Sequence, residues 1–157
     1  LDGALVLVGP NGERTVKAED FFVDLLTTDL QPGEILREIR IKKPGGKFGQ
    51  AYQKVPHPAS GFAVVGIAVH LVLDGNGACQ SAGIGVTGVG VKAYRAKAVE
   101  SALVGTSLDD SAVASAVTHV CDGIDPNADL YASSEYRCHL AQVHTRRAVQ
   151  AAKARVQ

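Results

Sequence analysis

The sequence predicts an α+β fold: an antiparallel β-sheet packed against a three-helix layer. Three observations carry this. Short apolar or alternating runs fill residues 4–91, runs with helical spacing fill 96–155, and Pro, Gly and Asn clusters punctuate the first part. Strands gathered before helices argue against alternating βαβ units.

The elements follow in order. Ala4-Leu5-Val6-Leu7-Val8 ends at Gly9-Pro10-Asn11-Gly12, a cluster that supplies turn conformations, so a hairpin with Arg14-Thr15-Val16 is predicted. Lys17-Ala18-Glu19-Asp20-Phe21-Phe22 places acids before aromatics, the pattern of a single helical turn planting two Phe side chains in a core. Ile35, Ile39 and Ile41, interleaved with Arg37, Arg40 and Lys42, predict a partly exposed strand stopped by Pro44-Gly45-Gly46. Phe48 to Val55 resumes an extended pattern with polar Gln50 and Gln53.

The run FAVVGIAVHLVL, Phe62 to Leu73, is apolar almost throughout and closed by Asp74-Gly75-Asn76-Gly77, which marks the central strand. Its antiparallel partner is expected over Ala78 to Val91. Helical spacing then begins: Ala96, Val99 and Leu103 before Gly105, and Val113, Ala116, Val117 and Val120 after the Ser107-Leu108-Asp109-Asp110 cap, up to Gly123. Ser133-Ser134-Glu135 opens a last helix with Tyr136, Leu140 and Val143 on one stripe and Lys153 and Arg155 near its negative end.

Composition excludes several functions. At 157 residues and 46% apolar the chain can bury roughly 70% of its unfolded surface, and is neither disordered nor collagen-like. Sixteen basic residues balance sixteen acidic ones, so no net field recruits nucleic acid or an anionic surface. No apolar run reaches the ~18 residues needed to cross a bilayer. Cys79, Cys121 and Cys138, odd in number and without a C-x-x-C pair, read as scattered reduced thiols of a cytoplasmic protein. Leu1 and the absence of any Met lead us to expect a segment of a longer chain.

The candidate chemistry is sparse. Gly83-Ile84-Gly85-Val86-Thr87-Gly88 matches G-x-G-x-x-G, yet no helix opens within it, so close backbone packing explains the glycines better than a dinucleotide. Gly45-Gly46-Lys47 lacks the Ser or Thr of a phosphate loop and reads as a turn. His139 and His144 stand about 140° apart around a helix, which supplies no metal set. His70 is expected near a strand end or with a core partner. No nucleophile with a placed base is recognisable, so no catalytic residue and no metal ligand is assigned. Ala51-Tyr52-Gln53-Lys54 puts a ring and a cation on one face of an extended segment, able to stack on and bond to a flat ring system or simply to solvate a surface strand. Arg146-Arg147 is open between a solvated face and a docking surface.

Taken in order, Ala18-Glu19-Asp20-Phe21-Phe22, Thr28-Asp29-Leu30-Gln31-Pro32-Gly33-Glu34-Ile35-Leu36, Ala51-Tyr52-Gln53-Lys54, Ala63-Val64-Val65-Gly66-Ile67-Ala68-Val69, Tyr94-Arg95-Ala96, Ser134-Glu135-Tyr136-Arg137 and Arg146-Arg147-Ala148 resemble one family. It is the medium, flavin-carrying subunit of carbon monoxide dehydrogenase and related molybdenum hydroxylases. The resemblance implies that residues 1–43 are the tail of an N-terminal FAD-binding domain and 44–157 the C-terminal domain. It implies FAD as cofactor, with Leu36, Tyr52 and Lys54 near the flavin ring. It also implies an iron–sulfur small subunit and a molybdenum large subunit as partners. The chain departs from the family at Gln53, where relatives can carry the Lys, and at Gly61, where many carry Asp. Without the family's upstream glycine-rich loops, the fragment is expected to be inactive and not to retain FAD. The alternative is a non-catalytic interaction or structural domain with no flavin contact. A free-standing nucleotide-binding protein using Gly83 to Gly88 stands third.

Overall fold

The computed structural model describes residues 1–157, which divide into two compact units, Leu1–Pro44 and Gly45–Gln157. In the first, β1 (Ala4–Gly9) lies between β2 (Gly12–Lys17) and β5 (Ile35–Arg40), antiparallel to both. The central position buries Leu5, Val6 and Leu7. One helical turn, α1 (Ala18–Phe21), adds Phe21 to Leu5 and Leu7, and a small ribbon of β3 (Phe22–Asp24) and β4 (Thr27–Thr28) follows. Arg14 on β2 reaches Glu34 Oε1 at 2.8 Å and Asp29 Oδ2 at 2.6 Å, fastening the loop that leads into β5. All six residues of β5 are exposed, including Ile35, Leu36 and Ile39.

The pair of core phenylalanines expected here is one: Phe21 is buried and Phe22 is exposed. Successive helical residues stand ~100° apart, and Phe22 already begins an extended strand, so both rings cannot face one small core.

In the second unit a four-stranded antiparallel sheet runs in the order β6 (Lys47–Pro56), β7 (Ala63–Leu73), β8 (Cys79–Thr87), β9 (Tyr94–Arg95). Three helices cover one face: α2 (Lys97–Leu103), α3 (Asp110–Ala116) with a 3-10 turn at Val117–His119, and α4 (Ser134–Ala154). Val65, Ile67, Val69 and Leu71 of β7 alternate into the core with Ile84 and Val86 of β8, meeting Val99, Leu103, Val113, Val120 and Val149 from the helices. Each such fully buried side chain contributes about 1.5–3 kcal/mol. Ala141, Ala148 and Ala152 keep α4 thin where it crosses β6 and β7.

Several expectations shift. β8 ends at Thr87, not Val91, because Gly88 takes φ +83 and turns the chain out of the ladder; Val89 still enters the core. The cap of α3 is Asp109 rather than Ser107: its carboxylate accepts from the amides of Ser111 and Ala112, and the Ala112 amide, then Ser107, lower its pKa. On α4, capped by Ser133 as expected, the buried residues are Arg137, Ala141, Thr145, Ala148, Val149 and Ala152. Tyr136 is half exposed, so the inward face is turned by one residue from the Tyr136, Leu140, Val143 stripe. The reason is packing distance: the small side chains of Ala141, Ala148 and Ala152 let the helix approach the sheet.

The cysteines correct the reduced-thiol expectation. Cys121 and Cys138 form a disulfide with Cα atoms 6.1 Å apart, and Cys79 alone is a free, buried thiol whose pKa burial raises. The 17-residue separation carried no spacing signal; the fold closes it by bringing the turn after the 3-10 segment beside the second turn of α4.

Candidate functional site

The helices leave the other face of the second unit's sheet bare. On β6, Gly49 and Ala51 point into the helix layer, so Gln50, Tyr52 and Lys54 point away from it. Tyr52 is 56% exposed, and no hydrogen bond or ion pair holds the Lys54 ammonium. Register then builds a row across the sheet: Tyr52 opposes Ala68, Ala68 opposes Gly85, and Gly85 opposes Arg95. A second row runs Lys54, Gly66, Thr87. The middle of this face is therefore nearly without side chains, a low floor between Tyr52 and Lys54 on one edge and Arg95 on the other. Glu100, 9% exposed, accepts from Arg95 Nη2 at 2.8 Å and from the Ile84 amide at 2.7 Å, fixing that second edge.

Such a surface suits a flat ring. A floor of Gly and Ala lets a planar group approach the backbone, Tyr52 supplies an aromatic face, and Lys54 supplies an uncommitted positive charge with three donors. An aromatic ring and an ammonium are chemistry of the kind a flavin ring accepts. Leu36, 39% exposed, lies on β5 of the first unit, so the structure places two of the three expected site residues on one face and the third on a separate unit.

The glycine motif resolves as β-structure. Gly83 and Gly85 sit within β8, opposite His70 and Ala68. His70 corrects its expectation: it stands within β7 on the bare face, 3.2 Å from Gln50 Nε2, with its ring 5.7 Å from that of Phe48. No group of three or more His, Cys, Asp or Glu residues is placed to hold a metal ion, and no helix is long and apolar enough to cross a membrane.

Three residues at this end of the sheet escaped the sequence reading. Phe62, just before β7, is 79% exposed, and the register shift at Val64 breaks the strand alternation that would have said which way it points. Gly66 borders Tyr52 across strands, a contact that only register reveals. Arg137, 6% exposed, donates to the carbonyls of Val64 at 2.9 Å and Gly88 at 3.0 Å and to Asp129 Oδ2 at 2.6 Å. It ties α4 to the start of β7 and the turn after β8. Nearby, the rings of His57 and Tyr131 lie 4.4 Å apart, beside fully exposed Leu130.

An antiparallel sheet with helices on one face and a bare, Gly-floored second face carrying Tyr and Lys defines an α+β domain built to present that face. Residues 50–152 match the model of the CO dehydrogenase flavoprotein C-terminal domain, and the chain belongs to this family. It is 39% identical over 155 residues to the carbon monoxide dehydrogenase medium chain of Afipia carboxidovorans, covering 99% of this chain and 54% of that one. To the glyceraldehyde dehydrogenase medium chain of Sulfolobus acidocaldarius it is 32% identical, covering 94% and 52%. Among solved structures, a reconstituted CO dehydrogenase from Oligotropha carboxidovorans superposes with TM-score 0.93 at 39% identity, over 99% of this chain and 54% of the other. The chain thus spans about half the length of these relatives.

Proposed function

We propose that this chain is the C-terminal part of the flavoprotein subunit of a molybdenum hydroxylase of the carbon monoxide dehydrogenase type. In this reading residues 44–157 form one wall of an FAD site and residues 1–43 the tail of the FAD-binding domain. The observation that carries the proposal is the bare sheet face: an exposed Tyr52 ring and an unpaired Lys54 beside a Gly and Ala floor, in a chain of this family. The flavin, when bound, supplies the redox chemistry that moves electrons from iron–sulfur clusters to an acceptor. The residues of this chain shape its surroundings. Tyr52 covers part of the ring and excludes water, and Lys54 favours negative charge on it. The iron–sulfur small subunit and the molybdenum large subunit are the partners. By itself the chain has no activity and does not retain FAD.

The test is FAD titration of the full-length subunit. Tyr52→Ala and Lys54→Ala should each weaken FAD binding or shift the flavin potential relative to wild type. If neither variant changes either quantity, the flavin-wall reading fails and the interaction-domain reading takes its place. Exposed Phe62, Leu130, Tyr131 and Tyr136 favour a docking role alongside the flavin one, because large apolar side chains gathered on a surface mark interaction sites.

A further inference from the structure

We infer that Gly66 is a positioning residue for Tyr52: the space left by its missing side chain is where the phenol hydroxyl lies, so this glycine sets how the ring rests on the sheet. Tyr52 on β6 pairs in register with Ala68 on β7, two residues beyond Gly66. Its hydroxyl nonetheless reaches along β7, where a Cβ built on Gly66 would stand 2.8 Å from Tyr52 Oη and 2.9 Å from Thr87 Cγ2. Diagonal neighbours on one sheet face lie ~7–8 Å apart, within the span of an aromatic side chain. The ring therefore lies down across the neighbouring strand instead of standing off it.

The backbone at Gly66 does not itself demand glycine, since its φ is outside the left-handed region. What a methyl group would meet is the ends of two side chains. Tyr52 is 56% exposed and can swing into solvent, and Thr87, exposed at the end of β8, can turn its methyl group away, so Gly66→Ala trades ring position for little stability. Gly49 is the contrasting case, because its obstacle is the backbone of α4 at Ala152. The consequence for a cofactor rests on the flavin-wall reading: a ring lifted by a methyl group would rise into the space above Ala68 and Gly85, where a planar ligand would lie.

NMR of the full chain with labelled tyrosine rings tests the geometry directly. In the wild type the Tyr52 ring should show contacts to the Gly66 α-protons. Gly66→Ala should abolish the wild-type ring position and shift the Tyr52 ring signals, with Tyr94, Tyr131 and Tyr136 unmoved. Unshifted Tyr52 signals overturn the inference. FAD titration of the full-length subunit supplies the second arm. Gly66→Ala should weaken binding by roughly two- to tenfold, the size of one aromatic contact, and lose most of that effect in a Tyr52→Phe background, where the hydroxyl is gone. If Tyr52→Ala weakens FAD binding and Gly66→Ala does not, positioning by Gly66 falls and the flavin wall stands. If the ring moves in Gly66→Ala yet neither Gly66→Ala nor Tyr52→Ala alters FAD binding, the flavin wall falls and the positioning stands.

Discussion

Gly49 on β6 lies so close to the carbonyl of Ala152 on α4 that no Cβ fits between them. Sheet and helix meet there backbone to backbone, which is why α4 carries Ala148 and Ala152 where it crosses β6. Gly49→Ala should destabilise the second unit by about 1–3 kcal/mol, the ordinary cost of overpacking. Chemical denaturation checks this: a variant with the wild-type midpoint would show that α4 can simply shift outward.

Arg137 is the polar counterpart of that contact. Its guanidinium satisfies the Val64 and Gly88 carbonyls where β7 begins and β8 ends. Arg137→Met keeps much of the volume and leaves both carbonyls without a donor, with an expected loss of about 2–4 kcal/mol. Arg137→Lys should recover only part of this, because an ammonium cannot reproduce the planar fork. Equal stability of the Lys variant and wild type in urea unfolding would assign the effect to charge alone.

The disulfide makes a countable prediction. Thiol titration should find no accessible thiol in the native chain, one after unfolding without reductant (Cys79), and three after reduction. Cys138→Ser should lower stability by ~3 kcal/mol, the chain-entropy value for closing a loop of this length. Three thiols in the unreduced, unfolded chain would contradict the bond.

Acid should act on the first unit through Glu34. Its carboxylate accepts from Arg14 and from the Gln31 amide, and the Arg14 guanidinium first of all holds its pKa down to about 2 from 4.5. A lowered folded value means that the stabilisation is complete above about pH 4.5 and is lost as the pH falls from there toward about 2. Glu34→Gln should flatten that part of the acid profile, read from amide signals of residues 1–44. Identical profiles for variant and wild type would remove Glu34 from the account.

For the flavin wall, Lys54→Gln in the full-length subunit should lower the flavin midpoint potential, because a nearby positive charge favours the more negative reduced form. An exposed charge contributes about 0.2–1 kcal/mol, which for two electrons corresponds to about 5–20 mV. A potential that rises, measured by spectroelectrochemistry, would contradict the role given to Lys54.

The sequence by itself determined the longer strands and the helices, because these carry a local signal: Val65, Ile67, Val69 and Leu71 at period 2, Val99 and Leu103 before a capping glycine, Ser133 at the start of α4; the two- and three-residue strands β3, β4 and β9 are too short to carry one. It also placed Tyr52 and Lys54 on one face, since alternation along a strand is a local rule. Only the tertiary structure decided what depends on distances between segments far apart in the chain. It paired Cys121 with Cys138, turned α4 by one residue, gave Arg137 its three acceptors, and laid Tyr52 across Gly66. The physical reason is common to all four: periodicity says which way a side chain points, and only packing says what it finds there.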